Sequence, residues 1–273
     1  GGHVEAHDIN IAAADARGYQ ERPKGYGVEV IPGAFTLWNQ QADPAVTLTA
    51  DLTGLSAGRD GAPVRGSGIF VSGAGDTGGR LIARRLETGA VYSDGGIAPG
   101  TPDRISGGVF TVYGAFVSDV RNLGPITTYG ANDMVLDNWG TVDCWVAEDK
   151  ITSHGPSGIG FVNFGTVNVL RVNDVIETFG QGARGFNVYT GTVQTAEFER
   201  VVTHADGTGE REAAIRMLDC VPGTHSKTVG ADKAYDTADF IAACRQRKVT
   251  PHVAQNDGRR GGSAIAGRTT RHD

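Results

Sequence analysis

Between residues 126 and 205 the alternation of apolar and polar positions returns with a step of 25. Ile126-Thr127-Thr128-Tyr129-Gly130 recurs as Ile151-Thr152-Ser153-His154-Gly155 and as Ile176-Glu177-Thr178-Phe179-Gly180. A weaker copy, Val201-Val202-Thr203-His204-Ala205, follows. Other columns keep the same step: Trp139, Phe164 and Tyr189 are aromatic, Asn138 and Asn163 precede them, and Gly140 and Gly165 follow. A glycine column, Gly130, Gly155 and Gly180, is broken at Ala205.

A unit of this length is too short for a pair of helices and fits one rung of a parallel β-solenoid. Each unit holds short β-prone runs, such as Ile159-Gly160-Phe161-Val162-Asn163-Phe164, bounded by Gly, Asn, Asp or Ser turns. Stacked rungs place equivalent residues ~4.8 Å apart, so an apolar column becomes a continuous ladder. Ile126, Ile151, Ile176 and Val201 are expected to form an inward ladder, and the aromatic column a second one. The asparagines are expected to bond their counterparts in adjacent rungs, and the glycines to supply turns with positive φ. Upstream, Val28–Ile31, Phe35–Trp38, Val46–Thr49 and Gly68–Val71 have the same texture without the period. They read as earlier, less regular rungs, displaced by loops such as Gly95–Arg104.

Beyond residue 208 the pattern changes. Glu210–Cys220 is rich in helix formers, with Ala214, Ile215 and Leu218 on one face, and Pro222-Gly223 ends it. Thr228–Ala231 reads as a short strand, Asp236 as the cap of a helix running to about Arg247, and Val249–Val253 as a second strand. Phe240, Ile241 and Cys244 mark the inner face of that helix. Strand, helix and strand make a βαβ unit, a different construction from the repeats.

Composition shifts at the same place. Of 41 glycines, 34 lie in residues 1–208, a share well above the usual ~7%. Residues 1–208 carry a net charge of −9 and residues 209–273 one of +3, within a total of −6. These shifts predict two domains, 1–208 and 209–273. Cys144, Cys220 and Cys244 show neither a disulfide framework nor zinc-ligand spacing, and are expected to be buried free thiols. No run of 18 apolar residues occurs, so no membrane-spanning helix is expected. The opening Gly1-Gly2-His3 has neither an initiator Met nor a signal-peptide layout, which suggests a fragment.

Two sets of residues carry candidate chemistry in the first part. Gly73-Ala74-Gly75-Asp76-Thr77-Gly78 after an apolar run, with Asp94 downstream, has the layout of a dinucleotide-binding turn. A Gly-rich turn between two strands is the competing reading. Asp133 and Asp137 on one rung, with His154 near the next turn, are the acids that a glycan-cleaving solenoid would use. Purely structural turn residues are the alternative.

Two resemblances complete the picture. The stretches GYGVEVIPGAFTLWNQQADPAVT, ETGAVYSDGGIAPGTPD, NDMVLDNWGTV and GPSGIGFVNFGTV resemble a family of bacterial proteins with solenoid-type repeats and no established activity. In those relatives the repeats continue past residue 208. Residues 209–272, through TGEREAAIRMLD, KTVGADKAYDTADFIAACRQRKVTPHVAQN and SAIAGRTTRH, resemble insertion-sequence DDE transposases with an RNase H-like core. Such enzymes hold two Mg²⁺ ions on three acids to cut and join phosphodiesters. The resemblance places the second acid at Asp232, its only counterpart for a catalytic and metal-binding residue. The first acid falls where the repeats stand instead, and the third falls beyond Asp273. Mg²⁺ is implied by this resemblance alone, and no strand transfer is expected. Arg259, Arg260, Arg268 and Arg271 are candidates for weak DNA contact.

The expected fold is therefore mainly β: a right-handed parallel β-helix or solenoid with rungs of ~25 residues, followed by a small α/β piece of an RNase H-like transposase core. The expected identity is a chimeric or disrupted reading frame. A glycan-binding or glycan-active solenoid is the alternative, and nucleotide binding at the Gly73–Gly78 loop a third reading. A transposase origin would place the protein in the cytoplasm.

Overall fold

The computed structural model describes residues 1–204, 211, 214, 215, 218, 227–256, 258 and 262–265. Contacts divide the chain into two compact units, Gly1–His204 and Ala205–Asp273.

The first unit is built almost wholly of parallel strands, in an eleven-stranded and an eight-stranded sheet. The larger sheet follows Gly2–His7, Thr47–Ala57, Arg80–Asp94, Ala115–Asn122, Thr141–Ala147 and Thr166–Thr178 in hydrogen-bonded order, with Thr192–Thr203 pairing the last of these. The smaller sheet contains Gly33–Trp38, Ser67–Ser72, Arg104–Thr111, Asp133–Asn138, Ile159–Asn163 and Arg184–Val188. Its one antiparallel pair joins Lys24–Gly25 to Val28–Val30. Parallel neighbours need a crossover, and here each crossover is a stretch of the other sheet or a loop.

Register explains the sequence period. Ile126 pairs with Ile151, Ile151 with Ile176 and Ile176 with Val201, each a step of 25. Val91 extends the column upstream by pairing with Ile126. Two further columns run beside it. Leu52, Leu86, Val120, Trp145 and Leu170 come from the larger sheet. Ile69, Val109, Leu136 and Phe161 come from the smaller one. All of these except Val201 are fully buried and belong to one apolar cluster shared by both sheets. Val201 holds its register but is 42% exposed, because among the described residues no strand pairs with the far side of Thr192–Thr203.

Upstream of residue 115 the offsets lengthen. Leu81 pairs with Ala115, Leu48 with Leu81 and Gly2 with Leu48. Intervening loops of different length remove the visible period while the pairing continues. The runs expected as irregular rungs lie in the strands Val28–Val30, Gly33–Trp38, Thr47–Ala57 and Ser67–Ser72.

Besides the cap of the helix in the second unit, three expectations need correction. The aromatic column is not an inward ladder of the main core. Trp139 and Phe164 belong to a separate cluster with Phe70, Phe110 and Val162. Phe161 and Val162 are neighbours in a strand and therefore point to opposite faces of the smaller sheet. The column sits on the outer face, where Tyr26 stacks on Phe164 at 4.5 Å and Tyr189 is half exposed. The second correction concerns the glycine column. Gly180 has φ of +90°, but at Gly155 the requirement is closeness. A Cβ there would lie 1.8 Å from the Gly130 carbonyl oxygen. Third, Cys144 is only half buried, whereas Cys244 is buried; Cys220 lies outside the described residues. The asparagines behave as expected. Asn138 Nδ2 donates to Asn163 Oδ1 at 2.8 Å, and Thr111 Oγ1 donates to Asn138 Oδ1 at 2.5 Å.

The second unit contains the strand Lys227–Ala231, a 3₁₀ turn Lys233–Tyr235, the helix Ala238–Gln246 and the strand Val249–Val253. The two strands pair in parallel, with Val229 opposite Pro251, so the connection is a βαβ crossover. Phe240, Ile241 and Cys244 are buried with Val249, Val253 and Ile265. Ala214, Ile215 and Leu218 pack against that cluster and, with Arg211, are the helical residues described from the predicted Glu210–Cys220 segment. Thr237, not Asp236, caps the helix Ala238–Gln246, accepting from the Phe240 N–H at 3.3 Å. Among the described residues no helix is long and apolar enough to cross a membrane.

Candidate functional site

The strands Arg80–Asp94 and Arg104–Thr111 are joined by a loop whose two ends are tied down. At its start the Gly96 N–H donates to Asp94 Oδ1 at 2.8 Å, while Arg65 forms an ion pair with the same carboxylate. Asp133 reaches in from the next strand of the smaller sheet: its Oδ2 accepts from the Gly130 N–H at 2.7 Å and the Gly95 N–H at 3.4 Å. Ser106 Oγ donates to Asp133 Oδ1. At the far end Asn132 donates from Nδ2 to the carbonyls of Thr101, at 2.6 Å, and Arg104, at 3.2 Å. Asn132 does so from a left-handed backbone conformation, φ +57°, which asparagine tolerates better than most residues.

Against this loop lies the segment before Lys24. The Ala16 N–H donates to the Arg65 carbonyl at 2.7 Å, and Arg22 donates to the carbonyls of Arg17, at 2.7 Å, and Tyr19, at 3.2 Å. Between segment and loop is a cleft of about 730 Å³. Asp15, Arg17, Arg22, Ile31, Thr101 and Arg104 are among its lining residues.

Charge in the cleft is unbalanced. Asp15 is bonded by the Arg17 side chain and backbone, which hold its carboxyl down at about 2. Arg22 is 3.7 Å from Glu29, whose carboxylate is held below its ordinary range chiefly by Lys24, with Arg22 and Arg104 adding to the field. Among the described residues Arg104 has no carboxylate within ion-pair distance, and its Nε is buried without a hydrogen-bond partner. An unmet buried donor costs about 1–3 kcal/mol. Three guanidinium groups and one carboxylate thus line a cleft in the acidic part of the chain.

The acids singled out in the sequence stand elsewhere. Asp133 and Asp137 are both 0% exposed, so neither can touch a polymer at the surface. Asp133 is the pin just described. Asp137 pairs in register with Phe110 and Val162. Burial drives its carboxyl well above the usual range, and the Trp139 indole N–H only partly opposes this. Both Asp137 oxygens, and Trp139 Nε1, lack a well-formed hydrogen bond. Replacing Asp137 with valine is therefore expected to stabilise the first unit by about 1–3 kcal/mol. Urea unfolding followed by circular dichroism measures this, and a lower midpoint for the variant would contradict it.

His154 stands in a stack of four rings, again one per 25-residue step. Tyr129 and His154 are 5.2 Å apart, His154 and Phe179 5.2 Å, and Phe179 and His204 4.4 Å, with planes within 14° of parallel. Burial and the neighbouring Lys150 lower the His154 pKa. Both faces of the His154 ring are covered, and the two carboxylates that act on it, Glu177 and Asp60, are engaged by Lys150 and His204 and by Tyr129.

The Gly73–Gly78 loop runs from the strand Ser67–Ser72 into the strand Arg80–Asp94, and no helix follows it. A Cβ at Gly73 would lie 2.4 Å from the Gly114 carbonyl oxygen. Close backbone packing accounts for that glycine, and the dinucleotide layout fails for want of a helix N-terminus.

In the second unit Asp232 follows the strand Lys227–Ala231, is exposed, and accepts from the Ala234 N–H at 2.8 Å. Asp236 is 1% exposed and staples a loop, accepting from the N–H groups of Asn256 and Ala264, both at 2.8 Å, and of Ile265 at 3.1 Å. Burial raises its pKa, but the Ser263 and backbone hydrogen bonds outweigh that and leave it lowered. Among the described residues no three His, Cys, Asp or Glu side chains converge as a metal site. Asp232 is occupied as a turn cap, and among the described residues no second acid converges on it to make the two-metal site that the transposase resemblance implies. Arg259, Arg260, Arg268 and Arg271 lie outside the described residues.

The cleft arginines were not found by sequence reasoning. Arg17, Arg22 and Arg104 are spread over some 90 positions outside the period and carry no motif. The ring stack was within reach, since its residues fill the fourth place of the 25-residue motif. Comparison with protein-family models, curated proteins and solved structures gives no match for this chain.

Proposed function

We propose that the first unit is a right-handed parallel β-solenoid acting as a non-catalytic, glycan-binding scaffold. Residues 209–272, on this reading, are a transposase-derived piece that does not carry out strand transfer, in a reading frame of chimeric origin. The observation that carries the first half is the register itself, with Ile126, Ile151, Ile176 and Val201 stacked one repeat apart. Stacked repeats bury a continuous core and leave their outer faces and loops free for recognition. The burial of Asp133 and Asp137 favours binding over cleavage, because glycoside hydrolysis needs two carboxyl groups that flank the scissile bond.

For the second half, the strand-helix-strand unit and the position of Asp232 at a strand end agree with the resemblance. On the same reading the first acid would fall before Glu210, where the strand Thr192–Thr203 stands. An assay of the full chain on supercoiled DNA with Mg²⁺ or Mn²⁺ is expected to show no nicking, and metal-dependent nicking abolished by Asp232→Asn would overturn this half. A glycan array probed with the same protein is expected to give bound glycans without their shortening. Binding to none, or release of shortened products, would overturn the other.

A further inference from the structure

We propose that the cleft lined by Arg17, Arg22 and Arg104 binds a hydroxylated organic carboxylate, in particular a carboxylated saccharide. The proposal rests on the glycan-binding reading above and names the site and the ligand class.

The geometry points to an anion. Guanidinium forks match carboxylate oxygens two at a time and keep their charge at any accessible pH. Arg17 and Arg22 already meet Asp15 and Glu29, so the unspent charge is that of Arg104. Its Nε is buried without a hydrogen-bond partner among the described residues, so the protein leaves this guanidinium under-satisfied, and a carboxylate held in the cleft that Arg104 lines would balance its charge. The walls are held by bonds that serve no strand pairing: Asn132 to the Thr101 and Arg104 carbonyls, and Asp133 to the Gly95 N–H. A site of this kind is fixed before its ligand arrives, which lowers the ordering cost of binding.

Two further features narrow the class. Asp15 stands in the same lining as the arginines. A bare phosphate or sulfate gains nothing from a carboxylate wall, whereas a sugar hydroxyl can donate to it. Thr101, half-buried in the same lining, supplies a hydroxyl that can accept from a sugar hydroxyl. The volume of about 730 Å³ falls in the roughly 300–1,000 Å³ range of small-ligand sites.

Calorimetric titration of the full chain with trigalacturonate tests this, with neutral galactotriose and inorganic phosphate as comparison ligands. Trigalacturonate is expected to bind at one site, and more weakly as salt rises. Arg104→Gln is expected to weaken it roughly 10- to 100-fold, the loss of one charge-assisted contact. Arg17→Gln, at a side chain 40% exposed and outside any strand, gives a second reading should the first variant fold poorly. Arg84→Gln, an exposed arginine paired with Asp51, is the control and is expected to bind like the unaltered protein.

No binding of trigalacturonate, or binding unchanged in both Arg104→Gln and Arg17→Gln, would overturn the proposal. So would inorganic phosphate binding as tightly as the trimer, which would mark a generic anion site. Neutral glycans bound on the array and untouched by both arginine changes would sink the cleft assignment while leaving the scaffold reading in place. No glycan bound by any measure would end both.

Discussion

Trp145→Ala is expected to destabilise the first unit by about 3–5 kcal/mol. Trp145 is the largest fully buried side chain and stands mid-column, between Val120 and Leu170 on adjacent strands. Its ring meets Phe161 edge to face at 5.3 Å, joining the larger sheet to the smaller one. Truncation removes that bridge and leaves a cavity that backbones fixed on both sides by parallel pairing can close only in part. It also strands a polar group. The indole Nε1 donates to Asn122 Oδ1 at 2.8 Å, and Asn122 Nδ2 in turn donates to Thr88 Oγ1 at 2.9 Å, all of them buried. Trp145→Phe fills most of the space without the donor and is expected to cost about 1–3 kcal/mol. Equilibrium urea unfolding followed by far-ultraviolet circular dichroism, which the strands dominate, measures both. A loss below 1 kcal/mol for the alanine variant would mean that the column does not hold the sheets together.

The second large effect is one of pH. Burial raises the Asp133 pKa from 3.8 to about 6, against the opposing hydrogen bonds from Ser106, Gly130 and Gly95. An acid whose folded pKa is raised binds its proton more tightly in the folded state, so its ionisation opposes folding. The penalty is absent below pH 3.8, grows between 3.8 and about 6, and is complete above that. Two pKa units correspond to about 3 kcal/mol. Carboxyl groups with lowered pKa, such as Glu29 and Glu177, act in the opposite sense as pH falls. The informative quantity is therefore the difference between the protein and Asp133→Asn. Asparagine can keep the network: its Oδ1 accepts from Gly130 and Gly95 while its Nδ2 donates to Ser106 Oγ. The variant is expected to match the unaltered protein near pH 4 and to exceed its stability by about 3 kcal/mol at pH 7.5. Unfolding curves that run parallel from pH 4 to 8 would refute this role for Asp133.

Much of the repeat was legible because parallel stacking makes like residues neighbours. Ile126, Ile151 and Ile176 could be aligned by eye, and the structure sets them in one column. Asn138 and Asn163 were readable for the same reason, since a side chain that bonds its own copy must recur at the same step. The helix Ala238–Gln246 and its flanking strands were legible from apolar spacing. Face assignment was less so. A strand in a parallel sheet is often apolar on both sides, so nothing local distinguishes Phe161, inside the shared core, from Val162 and Phe164 on the outer face. Asp133 and Asp137 looked alike in the sequence. One ties down a loop through backbone N–H groups and the other faces apolar neighbours, a difference set by strands before and after them.

The sequence by itself determined the 25-residue step, its ladder residues and the change of construction near residue 208, because these depend on contacts between copies of one pattern and on local spacing. Only the tertiary structure decided which face each column occupies, that the carboxyl groups are buried, and that Arg17, Arg22 and Arg104 share a cleft. These arise where loops of unequal length bring together residues up to some 90 positions apart, and such a meeting leaves no periodic trace in the chain.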